Sequence, residues 1–162
     1  MIIRKATRED LPEIMTIYEN ARAFMRREGN GDQWGTVHPP YSLVESTLDD
    51  TYLCTLDGVT GCVFYYKSGI DPTYNTIYNG NWKNDAPYGV VHRIASSQRF
   101  KGAAKFSLMW AYSQCENLKI DTHRDNIPMQ NLLASLGFEY CGIIHIENGD
   151  ERMAYQKEGV KG

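Results

Sequence analysis

The chain has 162 residues, of which 42% are hydrophobic and 23% are charged, and its formal net charge is −3. This size and composition are typical of one folded domain and exclude intrinsic disorder and fibrous repeats. The absence of a basic excess argues against non-specific binding to nucleic acid. Eleven residues are Tyr, whose ring with a polar tip often lines the border between a core and a wet ligand site.

Cysteine usage and hydropathy predict the compartment. The cysteines form no C-x-x-C pair, and all lie within apolar stretches: Cys54, Cys62, Cys115 and Cys141. Buried free thiols are typical of a reducing compartment. There is no run of ~18 apolar residues and no N-terminus of signal-peptide form. The sequence therefore predicts a cytoplasmic protein without a membrane partner.

Hydrophobic spacing and turn residues predict a mixed α/β domain that spans residues 1–162. A capping box at Thr7-Arg-Glu-Asp10 opens the first helix, and Asp57-Gly58 predicts a hairpin between two strands. The predicted elements are a strand at 2–6, helices from Asp10 to Gly29 and over 42–48, strands at 52–56, 59–66 and 88–95, a helix from Gly102, a strand at 118–122, a helix capped by Asp125 or Asn126, and strands at 138–146 and 151–157.

Residues 67–87 interrupt this pattern. A structureless stretch of this length is uncommon inside a compact domain, so we expect an ordered insertion. Asp71-Pro72 predicts the start of a short helix with Tyr74 and Tyr78 on one face, and Gly80 predicts its end.

One strand, the turn after it and the next helix predict a phosphate site. The strand ending at Ile94-Ala95 leads through Ser96–Lys101 into a helix that starts with Gly102 and two alanines. Free N–H groups at a helix N-terminus favour a bound anion, and Arg99, Lys101 and Lys105 add positive charge. A plain strand–helix turn with exposed basic residues remains the alternative. P-loop and Rossmann phosphate motifs are absent.

The same segment resembles a known family. Arg99-Phe-Lys-Gly102-Ala-Ala104 matches the R/Q-x-x-G-x-G/A signature of the GNAT N-acetyltransferase superfamily, and Asn126 followed by Leu132–Phe138 is similar to its N…LYxxLGF stretch. The order of elements matches over nearly the whole chain. The resemblance implies a GNAT-like, mostly antiparallel sheet of about six to seven strands, with a central splayed strand pair and flanking helices.

The resemblance also implies acetyl-CoA as the co-substrate and no metal. Its pyrophosphate would bind the amides of residues 100–104, and its pantetheine arm would pair with the strand holding Ile94 and Ala95. Asn126 would face the pantetheine side, although a plain helix cap is an equal alternative. The implied cofactor-binding residues are Ile94, Ala95, Arg99, Phe100, Lys101, Gly102, Ala103, Ala104 and Asn126.

Two positions depart from the family pattern. Phe100 is bulkier than the glycine common in the signature. Leu133 stands where many members have a Tyr that protonates the departing thiolate. A thiol is a good leaving group near neutral pH, so water is the expected proton donor.

The expected reaction is direct attack of an amine on the thioester, without a covalent enzyme intermediate. The amine must first lose a proton, and a His is suited to accept it because the ordinary pKa of the imidazole lies near neutrality. The resemblance implies that the two splayed strands leave a slot that holds the cofactor. Along an extended strand Tyr88, Val90, His92 and Ile94 would share the face toward this slot. His92 is the first candidate base and Tyr88 the second, and a strand N–H near His92 would bind the oxyanion. Purely structural roles for both side chains remain open.

Other polar residues are weaker candidates. His123 reads as a loop histidine, and its spacing from Asp121 is a weak metal signal. His38 and His145 are taken as non-catalytic. Arg93 and Arg124 pair either with acidic side chains or with a substrate carboxylate, and the structural pairing is favoured.

The acceptor pocket must come from the variable segments. Trp34, Tyr74 and Tyr78 are the predicted substrate-binding residues, with packing of the insertion as the alternative. The prediction is an N-acetyltransferase for a small primary amine or amino-acid-like acceptor. The alternatives are a non-catalytic acyl-CoA-binding sensor or partner protein, a longer acyl group, and a protein or peptide amine as acceptor. No nucleic-acid partner is expected, and a homodimer through an exposed strand is possible.

Overall fold

A computed structural model describes residues 1–159. It contains seven strands and four α-helices, joined by short 3₁₀ turns. The strands are β1 (Ile2–Lys5), β2 (Thr51–Leu56), β3 (Val59–Ser68), β4 (Gly89–Ser96), β5 (Asn117–Thr122), β6 (Glu139–His145) and β7 (Glu151–Glu158). The helices are α1 (Leu11–Arg27), α2 (Tyr41–Ser46), α3 (Ala103–Ser113) and α4 (Ile127–Ser135).

All seven strands form one mixed sheet in the order β1-β2-β3-β4-β5-β7-β6. Every neighbouring pair is antiparallel except β4 and β5. These two parallel strands pair only at Gly89–Leu118 and Val90–Lys119, so they separate toward their C-terminal ends. The predicted fold class, with a splayed central strand pair, is confirmed.

Local sequence signals explain several element ends. Asp57 and Gly58 have φ values of 51° and 80°, the left-handed conformation that a tight hairpin turn needs. The Thr7 amide donates to the Asp10 carboxylate at 2.8 Å before α1. At α4 the Asn126 side chain accepts from Met129 N at 3.2 Å, as expected of an N-cap.

Strand β4 contains a β-bulge at Arg93, whose φ is 53°. His92 and Ala95 face β3 residues that are only two positions apart, so β4 carries one extra residue in this interval. The extra residue reverses the alternation of side chains. Ala95, and not Ile94, therefore shares the face of His92, and the predicted common face of His92 and Ile94 is wrong.

The insertion is ordered, but its predicted helix is reduced to a 3₁₀ turn over Pro72–Tyr74. The chain then runs along the outer edge of β6, where Tyr78 and Ile143 exchange two main-chain hydrogen bonds of 2.8 Å. Gly142 has a φ of 150°, and a Cβ on it would lie 2.6 Å from Tyr78 O. Pairing with β6 satisfies the backbone of this segment, so a longer helix does not form.

Apolar clusters cover both faces of the sheet. One face packs on α3 and α4 around Leu108, Leu118 and Leu133. The other carries α1 and α2 around Ile14 and Leu53, and the insertion on the β5–β7 side. Cys54, Cys62 and Cys141 are buried.

One cysteine departs from its expected burial. Cys115, which follows the end of α3, is exposed, so the expectation that all four thiols are buried is wrong for this residue.

Within residues 1–159, no helix is both long and apolar enough to cross a bilayer.

Candidate active site

The turn from β4 into α3 has the form predicted for a phosphate site. Gly102 precedes the helix with a φ of 88°, a conformation that residues with a Cβ rarely adopt. The first amides of α3 therefore point out of the helix without intrahelical acceptors. Lys101 and Lys105 are exposed beside them. Arg99 is held by Glu13 of α1 at 3.2 Å.

The bulky Phe100 does not obstruct this turn. Its ring lies against Gly61 of β3, where no side chain larger than hydrogen fits. It also packs against the cluster beneath α3. The departure from the family's common glycine is thus accommodated by packing of the ring against the sheet.

A cavity of about 200 Å³ lies beside β4, where this strand has lost contact with β5. We call this cavity the slot. Four of the predicted cofactor-binding residues line it, namely Ile94, Ala95, Ala104 and Asn126. The other five, residues 99–103, form the turn into α3 and do not line it. The slot and the turn lie on one continuous path along the C-terminal half of β4.

A larger cavity of about 800 Å³ adjoins the slot, and Met25, Ile94, Asn126 and Met129 line both. Its walls come from the segment after α1, from α2, from β4 and β5, from the start of the insertion, and from the β6–β7 turn. His92 lines it, as does Trp34, one of the three residues predicted to bind substrate.

His92 lies between two carboxylates. Its Nε2 is 2.6 Å from Asp71 Oδ2, and its Nδ1 is 3.7 Å from Asp121 Oδ1. The His92 side chain is 31% exposed, whereas those of Asp71 and Asp121 are 16% and 12% exposed. Asp71 belongs to the insertion and Asp121 to β5, so three separate segments meet at this imidazole.

Asp71 fixes which ring nitrogen carries a proton. Burial favours its neutral form, but hydrogen bonds from His92 and Thr73 outweigh burial and lower the pKa of Asp71 to about 2. An ionised carboxylate only accepts hydrogen bonds, so the proton of this short contact lies on His92 Nε2. In a neutral imidazole Nδ1 then has the lone pair.

The aromatic residues near His92 support its carboxylate partners. Tyr74 is buried and donates to Asp121 Oδ1 at 2.6 Å, and its pKa is raised by burial and by that carboxylate. The Tyr88 hydroxyl accepts from Asp71 N at 2.9 Å. Neither residue lines the larger cavity, so the structure places the predicted base Tyr88 and the predicted substrate residue Tyr74 one layer behind it.

Tyr78 lies away from the site. It is 48% exposed and stacks on His145 with ring centroids 4.8 Å apart. Pairing with β6 carries it to the sheet edge, because the helix expected to hold it next to Tyr74 does not form. The structure therefore does not bring Tyr78 together with Trp34.

Asn126 is a helix cap, as one of its two interpretations predicts, and its role toward the cofactor stays a prediction. Its Oδ1 caps α4, while its Nδ2 donates to Gln33 Oε1 at 3.0 Å, and the residue lines both cavities. His38, expected to be non-catalytic, also lines the larger cavity, with its ring edge-on to Trp34 at 6.1 Å. The pKa of His38 is lowered by burial and by nearby cations, Arg93 first among them.

Leu133 and His123 have the surroundings expected of residues with a structural role. Leu133 is fully buried in the cluster beneath α4 and offers no proton donor. His123 is 8% exposed and its Nδ1 accepts from Asp125 N at 3.0 Å, which is the geometry of a satisfied loop histidine.

Two arginines complete the larger cavity. Arg93 lies over the Tyr65 ring at 4.8 Å and donates to Thr47 Oγ1 at 2.9 Å. Arg152 of β7 is 6% exposed and donates to two main-chain oxygens. Within residues 1–159, neither guanidinium has a carboxylate oxygen within 4.0 Å. The favoured structural pairing of Arg93 with an acidic side chain is therefore wrong.

Asp71 and Arg152 line the larger cavity although the sequence does not predict it. The sequence indicates only a local role for Asp71 at its own turn, where its carboxylate does accept from Thr73 N at 2.9 Å. No local signal reveals that a residue 21 positions earlier contacts His92. For Arg152, the alternation of the last strand gives the only signal, because it places this charged residue on the same face as the buried Ala154 and Gln156.

No protein-family model and no curated protein matches the chain. Among solved structures, a GNAT-family acetyltransferase from Streptococcus agalactiae 2603 is 29% identical, with a TM-score of 0.88 over 99% of this chain and 96% of that one. An acetyltransferase from Staphylococcus aureus Mu50 is 22% identical, with a TM-score of 0.70 over 98% and 99%.

A ribosomal-protein-alanine N-acetyltransferase from Brucella melitensis is 17% identical, with a TM-score of 0.65 over 98% of this chain and 100% of that one. The two more distant structures share the fold. The Streptococcus structure adds sequence identity over nearly the full length of both chains. Together with the signature turn and the splayed strand pair, these similarities show that the chain belongs to the GNAT superfamily of acetyltransferases.

Proposed function

We propose that the chain is an acetyl-CoA-dependent N-acetyltransferase whose acceptor is a primary amine of a small molecule or amino-acid-like compound. One observation carries this proposal. The slot along β4 and the larger cavity share Ile94 and Asn126 as walls, and His92 lines the larger cavity two residues from Ile94. A thioester in the slot and an amine in the larger cavity would therefore meet next to a polarised imidazole.

The residues around the slot fit acetyl-CoA. The amides after Gly102 and the exposed Lys101 and Lys105 suit a diphosphate, and the unpaired edge of β4 suits the amide groups of a pantetheine arm. Ala95 and Ala104 leave room for that arm. Acetyl-CoA supplies the activated acetyl thioester.

The proton of the amine is assigned to His92. At neutral pH, removal of a proton from an amine of pKa ~10.4 costs about 4–5 kcal/mol, at ~1.36 kcal/mol per unit. Nδ1 of His92 accepts this proton, and Asp71 and Asp121 on either side stabilise the resulting imidazolium. The nitrogen forms its bond to the acetyl carbon as the carbon–sulfur bond breaks.

The bulge at Arg93 is assigned the hydrogen-bond donors to the carbonyl oxygen of the thioester. Residues 93–94 lack partners in the β3 register, and we assign their amides as these donors. Tyr18 donates to Arg93 O at 2.8 Å and holds the bulge in place. With Leu133 buried, water protonates the departing thiolate.

The shape and compartment also enter the proposal. The segment after α1 and the insertion both wall the larger cavity, which favours a small acceptor over an extended peptide. Three buried free cysteines fit a reducing cytoplasm. We expect no nucleic-acid or membrane partner, and a homodimer remains a prediction.

The test is turnover by the purified full chain. Release of free thiol from acetyl-CoA is measured with a panel of small amines and amino acids, and binding of acetyl-CoA is measured by calorimetry. Acetylated product with a small amine supports the proposal. Failure to bind acetyl-CoA contradicts it, and binding without turnover on any amine indicates a sensor. Octanoyl-CoA and a short peptide serve as arms for a longer acyl group and a peptide acceptor.

A further inference from the structure

The larger cavity is lined by groups of two kinds. His92 lies between two carboxylates, which suits an amine. The guanidinium groups of Arg93 and Arg152 line the same cavity and suit an anion. An acceptor that satisfied both kinds of group would carry an amine and an acidic group in one small molecule.

Arg152 is placed by strand register. Asp121 of β5 pairs with Ala154 of β7, and Arg152 lies two residues from Ala154 on the same face. Its side chain therefore projects into the cavity on the side that holds Asp121. It is 6% exposed, and among the described residues 1–159 its donors reach only the main-chain oxygens of Glu151 and Gln33. A guanidinium has further N–H donors beyond these two.

Arg93 approaches from the α2 side. Its guanidinium lies over the ring of Tyr65, and one of its terminal nitrogens donates to Thr47 Oγ1. Its Nε is buried without a hydrogen-bond partner. The buried hydroxyl of Thr122, which also lines the cavity, lacks a partner as well. Unpaired polar atoms are thus concentrated on the walls of this cavity.

A buried cation, Arg152, and a partly buried one, Arg93, are costly to the fold when no carboxylate is within ion-pair distance. Burial lowers the pKa of both, and for Arg152 the charges of Asp121 and Asp150 offset this only in part. The acidic residues that face the mouth, Asp32, Glu147 and Asp150, are exposed. They disfavour a polyanion at the entrance, whereas a zwitterion without net charge passes them.

We propose that Arg152 and Arg93 bind the free carboxylate of the acceptor, so that the acceptor is an amino acid whose amine lies at His92. This inference rests on the proposed function and narrows its substrate class. Arg152 is the principal specificity residue, because it is the more deeply buried and is held rigidly by two main-chain oxygens.

The experiment compares amino acids with their carboxamides, which remove the negative charge at almost constant size. With wild-type protein and saturating acetyl-CoA, kcat/KM for the best amino acid should exceed that for its amide about 10- to 100-fold, as expected for charge-assisted hydrogen bonds. Arg152→Gln should abolish this preference, mainly through KM for the amino acid, while turnover of the amide changes little. Arg124→Gln, an exposed arginine outside the cavity, is the matched control.

Calorimetry separates this inference from the proposed function. Binding of the amino acid and of its amide is measured in the presence of CoA, where no transfer takes place. Tighter binding of the amino acid, lost in Arg152→Gln, supports the carboxylate site even without turnover. Equal binding or turnover of acid and amide overturns it, as does an equal loss for both in the variant. A phosphonate analogue that outperforms the amino acid also overturns the assignment to a carboxylate.

Discussion

His92→Gln tests the assignment of the base. The glutamine amide keeps a donor toward Asp71, which accepts from His92 Nε2 at 2.6 Å, but it cannot take a proton. A positioned general base contributes about 10²- to 10⁴-fold, which is part of the ~4–5 kcal/mol needed to deprotonate the amine. We therefore expect kcat/KM at neutral pH to fall by about 10²- to 10⁴-fold, with unchanged binding of acetyl-CoA.

The pH profile identifies the cause of this loss. Thiol release is followed from pH ~6 to ~10 with one amine acceptor, below and up to the ordinary amine pKa. The rate of the variant should rise about tenfold per pH unit, because it depends on amine that is already neutral in solution. The wild-type rate should depend less on pH, because the enzyme itself removes the proton from the amine, so the two profiles converge at high pH.

Two further variants complete this test. His145→Gln alters a histidine at the sheet edge, where it stacks on Tyr78, and should leave the rate unchanged. Asp71→Asn should cost less than His92→Gln, because Asp71 acts only through the imidazole. If His92→Gln keeps a rate within about threefold of wild type, well below the contribution of a general base, then His92 is structural and the reasoning is refuted.

Three other predictions concern stability and exposure. Asp10→Asn should lower the free energy of unfolding by about 1–2 kcal/mol at neutral pH. The hydrogen bond from Arg4 lowers the pKa of Asp10 to about 2. The difference in unfolding free energy between wild type and variant should therefore vanish as the pH falls from about 4 to about 2. A difference that does not change with pH would contradict this prediction. Gly142→Ala should lower the free energy of unfolding, measured in urea, by about 3 kcal/mol, because the new Cβ would lie 2.6 Å from Tyr78 O. Gly149→Ala is the control, since Gly149 has a φ of 91° and open space around it, and it should lower the free energy of unfolding by about 1 kcal/mol. Equal losses in the two variants would exclude the clash. Under native conditions Cys115 should be the one thiol that reacts rapidly with a disulfide reagent. The other three thiols are buried, and burial raises the pKa of Cys62 to about 12. Rapid reaction of a second thiol would refute this burial pattern.

The parts of the fold that could be predicted are those fixed by neighbours in sequence. The Asp57-Gly58 turn, the capping box at Asp10 and the Asn126 cap each depend on a few adjacent residues, and each has the expected geometry. The turn into α3 is equally local, because Gly102 alone provides its left-handed step. The order of elements and the turn into α3 also carry the resemblance to the GNAT family, and that resemblance implied the sheet and its splayed pair.

The parts that failed depend on partners distant in sequence. The bulge at Arg93 arises from the register of β4 against β3, and alternation within β4 gives no sign of it. The segment after Tyr74 has helical spacing, yet the free edge of β6 offers its backbone better partners. Asp71 at His92 is a contact between an insertion and a strand. Tertiary pairing decides each of these, so local spacing misassigned them.

The bulge at Arg93 connects the two halves of the proposed reaction. Without it, alternation would place Ile94 on the face of His92. The additional residue turns Ile94 toward α3 and α4 and leaves Ala95 on the face of His92, so residues from both faces of β4 line the slot while His92 lines the larger cavity. Strand β4 also loses its β5 partner after Val90, only three residues before the bulge. The same short segment therefore opens the sheet, frees its amides and positions His92, which is why the chemistry is assigned there.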